Sequence, residues 1–483
     1  MVFNSLKYII FLPVVYLFFY IAGERARWFV LLAASLLFYI ALNVPYLPAV
    51  LLLVAMTTYT FGILLNQAES LKAKRALLWS GIASNILILV VMKYLPFISE
   101  SLKAILTLLP FLHLAPFNFP LLVSIGVSYY VLQAISYLVD IYLEIEKPER
   151  HFGYFALYLS FFPKLLQGPV ERAGNLIPQL KTRYEFNYDN MRIGMLMIFW
   201  GLFKKVVIAD RLGLYVEPVY NDVHSFSGLP LLLATYAYAF QIFMDFSGYT
   251  DMALGSARLF NINLTQNFNN PYLATSVADF WRRWHISFSR WILDYIFKPL
   301  QMQWRNWKNW GIATALVATF LISGIWHGAS WGFFIWGGLH GLYMACSVFY
   351  RPYQKRLHKI SRLEKTNLLK YWQILVTFNL VSFAWIFFRA KSIADAYYII
   401  CNILSSASSM NKYLLIYGSL SIILCLSMLC LVLLIEYMKD NNLIRKAWER
   451  FPLLRWSLYY LLVICVIFLN KQDSGYSFIY FQF

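Results

Sequence analysis

The chain has 483 residues, 60% of them hydrophobic and only 13% charged, where a soluble domain carries charge on roughly a quarter of its residues. The formal net charge is +18, but the basic residues fall mainly between apolar runs, which reads as membrane orientation and not as nucleic-acid binding. The five cysteines (Cys346, Cys401, Cys425, Cys430 and Cys465) have no metal-type spacing and mostly sit in apolar stretches, which argues against a disulfide framework.

In chain order, candidate membrane segments fall at 6–21, 28–42, 46–65, 77–95, 121–143, 152–166, 192–210, 229–244, 309–323, 325–349, 371–388, 413–437 and 453–469. Several are shorter than the ~20 residues that cross the hydrocarbon core, so some are expected to be re-entrant or buried in protein. The first, Leu6 to Ile21, lacks a small-residue cleavage pattern after it and is read as a retained span. The expected fold is all-α and polytopic, a single integral-membrane domain over 1–483 with about ten to twelve crossings plus re-entrant or interfacial helices. No Gly-rich nucleotide loop, G-x-S-x-G elbow, HExxH motif or paired-cysteine site is present, so no metal is expected and an ATP-driven pump is disfavoured.

Three loops are plainly basic: Lys72 to Arg75, Arg351 to Lys365 and Lys439 to Arg455. The positive-inside rule places them in the cytoplasm and both termini outside. Seven candidate segments then lie between Lys72 and Arg351. An odd number cannot join two cytoplasmic loops, so at least one of the seven is not a full crossing or one loop is misassigned.

Three segments carry candidate chemistry. In Gln241 to Asn270, Asp245 and Asp251 flank Gly248 after an apolar run. Acidic residues so close to a span line a cavity or pair with arginine; Arg258 and the Arg282–Arg283 pair are candidate partners. Asn267, Asn269 and Asn270 fit a solvated Asx-type turn equally well. In Asp279 to Pro299, DFWRRWHISFSRWILDYIFKP, a continuous helix would set Trp281, Trp284, His285, Phe288 and Trp291 near one face, with Arg282, Arg283 and Arg290 elsewhere. Such charge suits an interfacial or protein-buried helix, and a plain interface anchor is an even alternative. In Ser323 to Gly341, SGIWHGASWGFFIWGGLHG, Gly324, Gly328 and Gly332 recur every four residues, a smooth face for close helix approach. His327, between Trp326 and Gly328, is an ionisable residue in an uncharged stretch and hence a functional candidate. A histidine bonded to a neighbouring helix is the alternative. On a continuous helix His340 would lie about 20 Å away on another face.

These segments resemble the membrane-bound O-acyltransferase family. The resemblance is carried by PVERAGNLIPQL (169–180), QIFMDFSGYTDMALGSARLF (241–260), NFNNPYLATSVADFWRRWHISFSRWI (267–292), SGIWHGASWGFFIWGGLHG (323–341), AWIFFRA (384–390) and the terminal FIYFQF. It is closest to the bacterial branch that includes the alginate O-acetyltransferase membrane subunit; the teichoic acid D-alanyl transferase is a more distant likeness. The resemblance implies a helical ring around a central funnel or tunnel. It assigns the principal catalytic histidine to His327 and the second functional histidine to His285. It implies no permanently bound cofactor, with acetyl-CoA or another acyl thioester as donor substrate. It further implies an exported polysaccharide or cell-wall polymer as acceptor and an extracytoplasmic partner protein that completes the transfer. The bacterial inner membrane and its lipid are the expected setting.

On this reading His327 is the expected general base on the acceptor hydroxyl. An unperturbed imidazole titrates near pH ~6.5, and burial favours its neutral form. His285 is expected to position a substrate or stabilise the oxyanion. Arg282 and Arg283 are expected to attract donor phosphates. Trp284, Trp326, Asp251 and Asn270 complete the expected substrate-binding set. The rival readings are a D-alanyl or longer-chain acyltransferase and a non-catalytic subunit for acyl or glycan export.

Overall fold

The computed structural model describes residues 1–107, 122–360, 366–406 and 451–469 and a few positions between 409 and 430. Most of the candidate span 413–437, part of each of the two distal basic loops and the terminal FIYFQF lie outside the described residues. Among the described residues every regular element is helical. Six helices are long and apolar enough to cross a membrane: Tyr46–Gln67, Leu71–Lys103, Leu229–Leu259, Arg305–His327, Trp331–Gln354 and Asn367–Arg389. Leu6–Ile21 and Arg27–Ile40 are apolar but shorter. The segment read as 152–166 is two helices, Phe152–Ser160 and Phe162–Leu165, broken at Phe161. Nine residues rise only about 14 Å, so it is not one crossing. The segment beginning at Arg351 continues the Trp331–Ile360 helix as far as Ile360 and is not a loop there.

The chain forms two compact units, Met1–Ile198 with Thr250–Gln266, and Phe199–Tyr249 with Asn267–Phe483. In the first, the Val127–Tyr142 helix is almost wholly buried. Tyr46–Gln67 packs closely on it: a Cβ at Gly62 would meet the Tyr137 ring at 2.9 Å. Asn85 Nδ2 donates to Thr58 Oγ1 at 3.2 Å, a polar link between two apolar helices. Buried Glu171 accepts from Asn175 Nδ2 at 2.7 Å, from Thr265 Oγ1 at 3.1 Å and from the Thr265 N–H. Arg258 donates to Asn190 and Asn263.

The second unit is built on an aromatic core and a hairpin of the Lys308–His327 and Trp331–Ile360 helices. Glycines set the hairpin's closeness. A Cβ at Gly324 would lie 2.3 Å from the Phe333 carbonyl oxygen, and one at Gly337 2.3 Å from that of Phe320. The expected four-residue glycine face is therefore divided. Gly324 belongs to one helix and Gly332 to the next, because the chain turns after His327. Gly328 caps the first helix with its Cα against the Phe333 ring, which a Cβ would meet at 2.1 Å.

A π-helical turn, Lys204–Ala209, puts Lys205 into this unit's interior. Its Nζ lies 2.6 Å from Asp245 and 2.8 Å from Asp210. The partner of Asp245 is thus a lysine that shares no local motif with it, not one of the expected arginines. Burial pushes the Asp210 carboxyl up to about 6 although Lys205 opposes the shift. Burial also disfavours the Lys205 charge, but the two carboxylates hold its ammonium above the usual range.

Candidate active site

The arginine–tryptophan–histidine segment is not one helix. Ser276 Oγ accepts the Asp279 N–H at 3.1 Å while Asp279 Oδ2 accepts the Thr275 N–H at 3.2 Å. This reciprocal cap starts the Val277–Arg283 helix. The helix stops at Trp284, whose backbone is extended. His285 then adopts φ 43° and ψ 55°, a left-handed conformation uncommon outside glycine. A second short helix, Ile286–Ile292, follows.

The asparagine-rich loop holds this break. Asn267 Oδ1 accepts from Ser287 Oγ at 2.7 Å and from the Ser287 N–H at 3.1 Å. The Ile286 N–H donates to the Asn267 carbonyl at 2.9 Å, and the Asn269 N–H to the Arg283 carbonyl at 3.0 Å. Asn267 is fully buried. It is a positioning residue, and the solvated-turn alternative does not hold for it. A polar residue followed by a short extended stretch is the only sequence signal that could have marked it.

The break delivers His285 into an aromatic cage with His327. His285 is fully buried and His327 is 3% exposed. Both imidazoles pack on Phe288, with ring centroids 5.0 Å from His285 and 5.5 Å from His327. Phe246 lies edge-on to His285 at 4.8 Å. Trp326 stacks on Phe288 at 4.3 Å and meets His327 at 4.8 Å. Trp336 stacks on the His327 ring at 4.8 Å, and Phe388 closes another side at 5.6 Å. The short helices that carry His285 are not among the spanning helices, and burial pushes its imidazole down to about 3. A neutral imidazole carries one donor and one acceptor nitrogen. His327 is the last residue of its helix, the end at which the helix dipole favours a positive charge.

His340 is a third buried histidine that the sequence placed on a remote face. The turn after His327 instead makes the two helices a hairpin, and Trp336 lies between the two imidazoles, 5.0 Å from His340. Trp281 Nε1 donates to His340 Nδ1 at 3.2 Å, which leaves the ring proton on Nε2. The helix period alone, applied across a WHGASW turn, hid this proximity.

The other expected residues are spread. Trp284 is fully buried and reaches the cage through Trp385, at 5.3 Å, which stacks on Trp336. Arg283 Nε lies 3.1 Å from Asp279 and Arg282 3.6 Å from it; their side chains are 33% and 67% exposed. Asn270, also left-handed at φ 46°, lines a separate cavity of about 460 Å³ with Tyr272 and Phe378. Asp251 belongs to the first compact unit.

A buried aromatic cage holding two imidazoles has the groups to take a proton from a hydroxyl and to donate a hydrogen bond to an oxyanion. Residues 148–390 match the membrane-bound O-acyltransferase family. The chain is 34% identical to the peptidoglycan O-acetyltransferase of Helicobacter pylori, over 82% of this chain and 78% of that protein. It is 33% identical to the probable alginate O-acetylase AlgI of Pseudomonas putida, over 81% and 78%. The teichoic acid D-alanyltransferase of Bacillus subtilis is 28% identical over 66% of this chain and 80% of its own length.

Proposed function

The chain belongs to the membrane-bound O-acyltransferase family, and from that premise we propose that it moves an acetyl group from a cytoplasmic thioester to an exported polysaccharide or cell-wall polymer. The observation that carries this reading is the pair His285 and His327, both buried and both packed on Phe288. In the proposed step a neutral His327 nitrogen takes the proton of the acceptor hydroxyl. The oxygen attacks the thioester carbonyl, and His285 donates a hydrogen bond to the resulting oxyanion. Collapse expels the thiolate, which recovers the proton from the His327 imidazolium. An ester and a thiol remain, and no further reactant is consumed.

Acetyl-CoA or another acyl thioester is the proposed donor, and nothing in the step needs a permanently bound cofactor. Arg282 and Arg283 are proposed to attract the donor's phosphates, with Trp284, Trp326, Asn270 and Asp251 as further substrate contacts. The whole chain is proposed to act as one domain in the bacterial inner membrane. It would have about ten to twelve crossings around a central funnel, both termini outside, and an extracytoplasmic protein completing the transfer.

D-alanyl transfer is the second reading, supported by the 28% identity to a teichoic acid D-alanyltransferase. Acetyl is preferred because the relatives named as O-acetylating enzymes match at higher identity over more of this chain. Deleting the gene and measuring ester-linked acetate and D-alanine on the cell's polymers separates the two. Loss of acetate alone is expected; loss of D-alanine alone would overturn the acetyl assignment.

A further inference from the structure

A cavity of about 580 Å³ opens in the second unit, beside the histidine cage and apart from it. Its walls are apolar: Leu293, Phe297, Leu316 and Met344 are among them. Two arginines, Arg282 and Arg290, line it as well, and both are exposed, so they stand at its mouth. No carboxylate lines it. Of the two nearby acidic side chains, one pairs with a lining arginine and the other does not. Asp279 is shared between Arg282 and Arg283, and Asp294 binds Lys298 at 2.7 Å. Arg290 has no ion-pair partner among the described residues.

Exposed Trp307 and Trp310 mark the start of the spanning Arg305–His327 helix, as aromatic residues do at the headgroup level. Leu316 and Phe320 lie six and ten residues past Trp310, about 9 to 15 Å along the axis. An apolar slot with arginine at its mouth fits an amphiphile with an anionic head. We propose that this cavity is a specific site for an anionic phospholipid, its acyl chain against Leu316 and Phe297 and its phosphate on Arg290. Trp281 forms part of the cavity wall and its indole N–H holds His340, so the occupied cavity and the histidine cluster share one side chain.

The site is testable on the purified full-length protein in phosphatidylcholine nanodiscs, by native mass spectrometry and thermal unfolding. Phosphatidylglycerol is titrated in, with added phosphatidylcholine and inorganic phosphate as the comparison arms. Wild-type protein is expected to retain phosphatidylglycerol preferentially and to melt higher with it. Arg290→Gln is expected to lower the preference by about tenfold, the loss of one charge-assisted contact. Leu316→Trp, which fills the apolar end, is expected to lower retention while melting like wild type in phosphatidylcholine alone. Equal retention of the two lipids by wild type would overturn the proposal, as would full preference in Arg290→Gln. So would stabilisation by inorganic phosphate equal to that by the lipid, which would mark an anion site with no lipid specificity.

Discussion

At His285 the backbone carries strain. A non-glycine residue in the left-handed region costs of order 1–3 kcal/mol, and such strain collects at functional sites. Here it turns the imidazole into the cage with His327. His285→Gly would relieve the strain and remove the ring together. The variant is expected to melt within a few degrees of wild type and to lose roughly 10²–10³-fold in acetyl transfer, the scale of a missing oxyanion donor. Assay of the purified protein alongside a melting curve checks this; full activity would leave His285 a structural residue only. The sequence made both histidines legible, one as an ionisable residue in an apolar run and both through the family resemblance. It could not reveal the left-handed turn or the Asn267 bonds that hold it, because the helical period was carried straight through Trp284. His340 was lost for the same reason.

At the level of elements, two features control the second unit. The hairpin of Lys308–His327 and Trp331–Ile360 depends on backbone approach at Gly324 and Gly337. Gly337→Ala would drive a methyl group against the Phe320 carbonyl, so it is expected to lower the melting temperature and to reduce activity by displacing Trp336 from His327. Unchanged melting would show that the hairpin can spread without cost. The second feature is Lys205 between Asp210 and Asp245. Lys205→Met would remove the ammonium from buried Asp245 and half-buried Asp210 and is expected to destabilise by about 3–5 kcal/mol. Asp210 behaves in the opposite sense. Its folded pKa is raised to about 6 from an ordinary value near 3.8, so the stability it confers is full below pH ~4 and lost as pH rises through 6. Asp210→Asn is therefore expected to flatten the pH dependence of melting between 4 and 7 while costing far less than Lys205→Met. Gly324 was readable from the four-residue glycine spacing, although that spacing spans a turn and not one face, and Gly337 lies outside it. The Lys205 pairing was not readable, since forty residues and a π-helical turn separate it from Asp245.

For the whole molecule, the apolar runs announced a multi-pass membrane protein, and six helices meet the length and hydropathy of a span among the described residues. Some short runs were expected to be buried in protein and not to cross, and 152–166 consists of two short, largely buried helices. Of the seven candidate segments between Lys72 and Arg351, four fall on described helices long and apolar enough to cross, an even number, which allows both basic segments to share the cytoplasmic side. A single cysteine placed near residue 4 of a cysteine-free variant is then expected to react with an impermeant maleimide added outside intact cells, and one at residue 72 is not; the reverse pattern would invert the topology. The central claim is that the buried histidine pair performs acyl transfer, and it is tested most directly by acetyl transfer from acetyl-CoA in reconstituted vesicles, wild type against His327→Ala at equal folded protein. Loss of the general base is expected to reduce turnover by at least ~10²–10⁴-fold, with the melting temperature little changed. Undiminished transfer by His327→Ala would contradict the account.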